Sequence, residues 1–364
     1  MVLNTLLHAL LVIGAGTLAA QAVPPQATVT TVGQSAGATR LASAALRNSD
    51  GSDRLTYSVW YPAAEDRHET VLQVGPPQTP LFIAGSAAMG APPREGRLPT
   101  VLLSHGNGGS ALMLGWLGTA LARAGYLVIA VDHPGNSGSA PITAAGSTLL
   151  WERSGDLAAA LGSVQADPVL GPHVDGTRLA VAGFSAGGLT ALLAAGARMD
   201  VARLLAFCDR HPDDGVCQPQ AEAPTLTLQQ RRKILASPAF ATSVAQSGRS
   251  HALPGIRAVV LLAPAAVQAV PELQLQAVQQ PTLVVSAATD TVAPAISNSN
   301  VVAAQVPEAR SLQVADAGHY VFLAPCTEQG RRALGALCTP ASVQARAHAT
   351  AIEATLALLD SALR

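Results

Sequence analysis

Leu179-Ala-Val-Ala-Gly183-Phe184-Ser185-Ala186-Gly187-Gly188 is the stretch on which the reading of this chain turns. Leu179–Ala182 is a short apolar run of strand type, and Gly187–Ala197 has the apolar density of a helix. Between them stands Gly-x-Ser-x-Gly. A strand that passes through this pentad into a helix turns sharply and lifts the serine hydroxyl out of the C-terminal edge of its sheet, a nucleophile elbow. Small residues are needed at Gly183 and Gly187 because strand and helix approach closely there. The start of the helix brings backbone N–H groups beside the serine, where they favour developing negative charge. In a chain with 32 glycines the pentad alone arises by chance. Its position between strand and helix makes it informative.

Apolar strand candidates flank this segment at Val101–Leu103, Tyr126–Val131, Val259–Leu262, Thr282–Val285 and Leu312–Val314. They lack strict alternation, which suits strands buried on both faces of a parallel sheet. Helical patterns at Ala111–Ala124 and Leu149–Gln165 fall between them, and Ser342–Leu363 has helical apolar spacing. This alternation predicts a mostly parallel, doubly wound α/β sheet. Earlier in the chain, Ala27–Thr31 and Leu55–Tyr61 are strand candidates. Residues 62–98, rich in Pro, Gly and Ala, read as an irregular excursion with short strands near Val71–Val74 and Leu81–Ala84. Residues 199–254 are too long for an idle loop and read as a partly helical cap-like insertion. Its Arg231-Arg232-Lys233 triplet fits a solvated helix face better than a binding patch.

If Ser185 is a nucleophile, an acid and a base must follow it in the order Ser, Asp or Glu, His. Asp290, in Thr289-Asp-Thr291 after the Thr282–Val285 strand, is placed to accept from a histidine. His319, in Ala317-Gly-His-Tyr320, is the base that can take the Ser185 proton and return it to a leaving group. Ser104-His-Gly-Asn-Gly-Gly109, after the Val101–Leu103 strand, supplies a second glycine-rich turn. The backbone N–H groups of Asn107 and Ala186 are the candidate oxyanion donors, with His105 as a loop-orienting residue. The turn lacks the G-x-x-x-x-G-K-[ST] pattern of a phosphate cradle. Asp316 shares the turn of His319 and fits a capping role. Asp132 and His133 precede the serine, the wrong side for this order. His173, His211, His251 and His348 read as solvated.

Lys+Arg 22 against Asp+Glu 23 leaves a net charge of −1, which excludes a polybasic nucleic-acid binder. With 49% hydrophobic residues the chain can bury a large core. Leu6–Ala20 is almost wholly apolar and ends at Ala20-Gln-Ala22, a small-x-small cleavage pattern. We expect residues 1–22 to be a signal peptide and residues 23–364 a single domain. The apolar run is shorter than the ~18–20 residues of a membrane span, so no stable membrane anchor is expected. Four cysteines in an exported chain suggest two disulfides, and proximity favours Cys208–Cys217 and Cys326–Cys338. Neither pair has the spacing of a zinc knuckle. No metal or organic cofactor is implied.

Val59–Ala63 (VWYPA), Leu98–Ser110, Gly125–Gly138 (GYLVIAVDHPGNSG), Trp151–Leu157 (WERSGDL), Gly183–Gly188 and Ala317–Cys326 (AGHYVFLAPC) together resemble exported α/β-hydrolases known as predicted dienelactone hydrolases, akin to platelet-activating-factor acetylhydrolases. The resemblance spans most of residues 55–340. It implies the α/β-hydrolase fold, with Ser185 as nucleophile, Asp290 as acid, His319 as base and Asn107 with Ala186 as oxyanion donors. The pairings Cys208–Cys217 and Cys326–Cys338 match it as well. True dienelactone hydrolases carry a cysteine where this chain has Ser185, so serine-esterase chemistry is the implication and not a particular substrate. The expectation is a periplasmic or secreted carboxylic ester hydrolase acting on a small-molecule ester through an acyl-serine. A serine peptidase of prolyl-oligopeptidase type and a non-catalytic hydrolase-fold binding protein are the alternatives. Phe184, Tyr320 and Phe322 flank the catalytic turns as candidate pocket residues.

Overall fold

A computed structural model describes residues 30–364 of the chain. The signal segment expected at 1–22 lies outside these residues, as does most of the strand expected at Ala27–Thr31. The ten strands are β1 (Val32–Arg40), β2 (Arg54–Pro62), β3 (Thr70–Val74), β4 (Phe82–Met89), β5 (Leu98–Ser104), β6 (Leu127–Asp132), β7 (Val174–Phe184), β8 (Ile256–Leu262), β9 (Thr282–Ala287) and β10 (Ala309–Val314). They form one sheet in the order β10-β9-β8-β7-β5-β6-β2-β1-β4-β3. From β10 to β6 every pairing is parallel, whereas β2 runs antiparallel to both β6 and β1.

Alternation along the central strands sorts their side chains into two cores. Leu102, Ile129, Val181, Leu261 and Val284 lie in one, and Val101, Val128, Ala180, Val260 and Val285 in the other. Both faces are therefore apolar, which is why these strands read as continuous runs. Helices α1 (Gly115–Arg123) and α11 (Ala341–Leu363) cover the second face through Trp116, Leu117, Leu121, Ala347, Ala351 and Leu359. Helices α3 (Glu152–Ala166) and α4 (Ala186–Ala194) cover the first through Leu157, Val164, Leu189 and Leu192. Each fully buried leucine in these layers contributes about 1.5–3 kcal/mol. The short α2 (Ala144–Thr148), α8 (Glu272–Gln276), α9 (Ser299–Gln305) and α10 (Glu328–Leu334) complete the connections.

Several elements differ from the sequence reading. Residues 62–98 are not merely an excursion, because β4 pairs in parallel with β1 and carries β3 as the sheet edge. Strand β1 begins at Val32, beyond the strand expected at Ala27–Thr31. Its VGQSAGATR sequence has little β-forming character, but Gly33 and Gly37 oppose Tyr61 and Tyr57, whose rings lie over them. The helix expected at Ala111–Ala124 starts as a 3-10 turn, Leu112–Leu114, before α1. Residues 199–254 contain α5 (Val201–Arg210), α6 (Leu228–Ala236) and α7 (Ala241–Val244). His348 is not solvated. It is buried, stacks on Trp116 at 3.7 Å, and its Nε2 lies 2.9 Å from the Val321 carbonyl oxygen. Burial lowers its pKa to about 4.

Cys208 is bonded to Cys217 and Cys326 to Cys338. The first bridge ties α5 to the loop beyond it, and the second ties the stretch before α10 to the segment before α11. Among the described residues no helix is long and apolar enough to cross a membrane.

Candidate active site

Parallel pairing puts the C-terminal ends of β5, β7, β9 and β10 on one edge of the sheet, the edge at which α/β proteins bind ligands. Ser185 follows β7, the 105–109 turn follows β5, Asp290 follows β9 and His319 follows β10. The residues singled out from the sequence thus converge. Ser185 Oγ lies 2.9 Å from His319 Nε2, and His319 Nδ1 lies 2.7 Å from Asp290 Oδ2. The other carboxylate oxygen of Asp290 accepts from the backbone N–H groups of Val292 at 2.9 Å and Ala293 at 2.7 Å. Those two bonds aim Oδ2 at the ring. The tautomer with hydrogen on Nδ1 then leaves Nε2 able to accept the serine proton.

Ser185 adopts φ 55°, a left-handed conformation that a non-glycine residue holds only under constraint. Three hydrogen bonds supply that constraint. Its N–H donates to Leu262 O at 2.9 Å, and its carbonyl accepts from Gly188 at 2.8 Å and Ala265 at 3.0 Å. The flanking glycines are required sterically. A Cβ on Gly183 would stand 1.9 Å from Gly187 O, and one on Gly187 would stand 2.0 Å from Ser104 O. The N–H of Ala186, the first residue of α4, has no intrahelical acceptor. The N–H of Asn107 has none among the described residues.

Behind the 105–109 turn lies a buried polar network in which His105, read as loop-orienting, and Asn107 are joined by residues that the sequence reading had left without a role. Asp156 receives both terminal nitrogens of Arg47, at 2.7 and 2.9 Å, and faces His133 Nδ1 at 2.8 Å. His133 Nε2 stands 2.8 Å from Ser104 Oγ, and its backbone N–H donates to His105 Nε2 at 3.1 Å. Arg153 donates to the His105 carbonyl oxygen and, at 3.3 Å, to Asn136 Oδ1. Asn136 Nδ2 in turn donates to Asn107 Oδ1 at 2.7 Å. Burial, then the charge of Arg153, lowers the His133 pKa to about 3. Burial lowers that of Arg153 to about 9. His105 is driven well below the usual histidine range by burial and by His133. His133, Arg153 and Asp156 lay in the Asp-His-Pro-Gly and WERSGDL segments and Arg47 in neither, and nothing in the sequence tells that they meet.

Two cavities open beside Ser185. The larger, about 840 Å³, is lined by Ser185, His319, Phe184, Leu112, Met113 and Tyr320, with walls from β3–β4 and the insertion. Tyr320 Oη donates to Glu222 Oε2 at 2.8 Å, which ties the insertion to the His319 turn. The smaller, about 40 Å³, is lined by Asn107, Ser185, Ala186, Ser147, Gln220 and Arg231 among others, but not by His319. Phe322 belongs to the core and not to a pocket. Asp316 is exposed in a left-handed turn and makes no bond to His319. Of the basic triplet, Arg232 and Lys233 are exposed, whereas Arg231 turns inward and donates to Ser147 O at 2.6 Å.

The Alpha/beta hydrolase family matches residues 101–329, well over half of the chain. The family described as Platelet-activating factor acetylhydrolase, isoform II, matches residues 29–148. No curated protein matches the chain. Among solved structures the chain is similar to a ferulic acid esterase from Streptomyces cinnamoneus. Identity is 21% over 94% of this chain and 93% of that one, with a TM-score of 0.60. At that identity the likeness is one of fold.

Proposed function

This chain belongs to the alpha/beta hydrolase family, and from that premise we propose that it is a serine hydrolase cleaving carboxylic esters through an acyl-serine. The observation that carries this reading is the unbroken line from Asp290 to His319 to Ser185, with steps of 2.7 and 2.9 Å, at the wall of two cavities. Ser185 Oγ attacks the ester carbonyl carbon as its proton passes to His319 Nε2. The carbonyl oxygen becomes an oxyanion facing the N–H groups of Asn107 and Ala186. His319 then gives its proton to the departing alkoxide. Water repeats the sequence on the acyl-enzyme and releases the acid. Asp290 holds the imidazole in the productive tautomer and stabilises its charged form. The acetylhydrolase and esterase names of the matching family and structure support the ester assignment.

The leaving alcohol must stand where His319 can protonate it, so it occupies the larger cavity, which His319 lines. The acyl group takes the other side of Ser185, the cavity of about 40 Å³ that His319 does not line. We propose that the mature chain runs from residue 23 to 364 as one exported catalytic domain, with residues 199–254 as its cap. The two disulfides support the export assignment.

Hydrolysis of p-nitrophenyl esters from acetate to decanoate tests this reading. Short acyl groups are expected to be cleaved fastest. Ser185→Ala is expected to lower kcat by about 10⁴-fold or more. Absence of turnover with every ester, or faster cleavage of peptides, would overturn it.

A further inference from the structure

The small cavity beside Ser185 contains a cation for which the fold supplies no counter-charge. Arg231 reaches in from α6, and the one side-chain hydrogen bond it makes among the described residues goes to the neutral carbonyl of Ser147. No carboxylate lines the cavity. Arg232, next in sequence, is by contrast paired with Asp209 at the surface. Loss of water alone lowers the Arg231 pKa to about 10, with no compensating charge, and the group stays protonated at neutral pH. A cation withdrawn from water without a partner is destabilising, and an anion brought to it relieves that cost.

A second donor faces the same space. Asn136 Oδ1 accepts from Gly108 N–H and from Arg153, both at 3.3 Å, so its Nδ2 must point to Asn107 Oδ1 and to Ser147 Oγ. That arrangement leaves Asn107 Nδ2 buried, without an acceptor among the described residues, on the cavity wall. About 40 Å³ of accessible space holds roughly three waters at 10–15 Å³ each, which suits the three heavy atoms of a carboxylate. Of the acids near the site, Glu222 lines the other cavity and Asp290 is taken up by His319 and two backbone N–H groups.

We propose that Arg231 and the Asn107 side-chain amide form an anion-selective acyl pocket, and that the preferred substrates are monoesters of short dicarboxylic acids. The carboxylate of the acyl part seats against the guanidinium while the neutral alcohol lies in the larger cavity. This rests on the serine-esterase reading and narrows its substrate class. Gln220 Oε1, a buried acceptor on the same wall, is also unpaired, but the guanidinium and the Asn107 amide make the stronger demand on a ligand. A site with buried donors rejects an analogue that leaves them unpaired.

The test compares monoethyl malonate and monoethyl succinate with their uncharged isosteres, ethyl isovalerate and ethyl 4-methylpentanoate, by acid release at constant pH. Wild type is expected to prefer the anionic member by at least about tenfold in kcat/KM. Arg231→Gln should lower kcat/KM for the anionic ester by about 10–100-fold. Its effect on p-nitrophenyl acetate, whose acyl part carries no charge, should be several-fold smaller than on the anionic ester, and Arg231→Lys should recover part of the preference. Equal cleavage of charged and uncharged isosteres would overturn the proposal. So would an Arg231→Gln effect of the same size on both, which would reduce Arg231 to a tether between α6 and Ser147.

Calorimetric titration of malonate into wild type and Arg231→Gln reads the site without turnover, and binding at least tenfold weaker in the variant is expected. If p-nitrophenyl acetate is not hydrolysed, the esterase reading fails and the malonate titration alone decides the anion site. If the acetate is hydrolysed by a Ser185-dependent route without any anionic preference, only the present inference fails.

Discussion

The molecule contains two Ser–His–Asp lines of nearly the same dimensions. In Ser185–His319–Asp290 the steps are 2.9 and 2.7 Å, and in Ser104–His133–Asp156 both are 2.8 Å. Their surroundings differ. Asp290 is held by two backbone N–H groups, and Ser185 borders two cavities. Asp156 is clamped by Arg47, and Ser104 is fully buried with Arg153 beside it. His133 sits among two arginine cations without contact with water, so the imidazolium that general-base catalysis requires is suppressed, as its pKa of about 3 expresses. The geometry of three side chains therefore does not make a catalytic set. Access for a carbonyl group and tolerance of a charged ring separate the two lines. The Arg47–Asp156 line has a different use, because through Arg153 and Asn136 it fixes the loop that carries Asn107.

The widest separation between the two lines is expected in kinetics. Set against the roughly 10⁴-fold loss in Ser185→Ala, Ser104→Ala should stay within about tenfold of wild-type kcat/KM for p-nitrophenyl acetate. Comparable losses in both variants would erase the distinction.

The aspartates should exchange roles between activity and stability. Asp156→Asn strands two buried arginines and is expected to cost about 3–5 kcal/mol in urea unfolding. Asp290→Asn can keep both backbone hydrogen bonds, so less than about 1 kcal/mol of stability is expected to be lost. Its kcat should nonetheless fall by about 10⁴-fold through the wrong ring tautomer. Similar destabilisation by the two substitutions would break the comparison.

Acid sensitivity gives the smallest effect. The folded pKa values of His133 and His348, about 3 and 4, lie below the unfolded value near 6.5. Between those limits the unfolded chain binds more protons, so stability falls as pH falls. Each histidine should remove about 2 kcal/mol between pH 7 and pH 5. His348→Gln is expected to reduce that pH difference by about one histidine's share, and an unchanged difference would refute the burial argument.

What was legible in the chain followed from local chemistry. The parallel core strands could be read because burial on both faces demands uninterrupted apolar runs, as in β5, β6 and β9. The elbow could be read because Gly183 answers a backbone contact within its own turn, at Gly187 O, although the contact that requires Gly187, at Ser104 O, comes from a distant strand. Strand β1 could not, because what makes it a strand is the pair of tyrosine rings that β2 lays over its glycines. Arg231 was read with its triplet as solvated, since α6 alone gives no sign of which neighbour faces inward. His348 was misjudged for the same reason, its partner Trp116 being far away in the chain.

By itself, then, the sequence determined the α/β class, the elbow, and the order in which Ser185, Asp290 and His319 occur along the chain. Tertiary structure alone decided that Ser185, and not Ser104, borders a cavity, and that the one unpaired arginine of the basic triplet points into one. The physical reason is that hydrophobic periodicity and turn chemistry are local. Burial of charge, by contrast, depends on which distant elements close around it, here Arg47, Arg153 and α6 brought to one edge of the sheet.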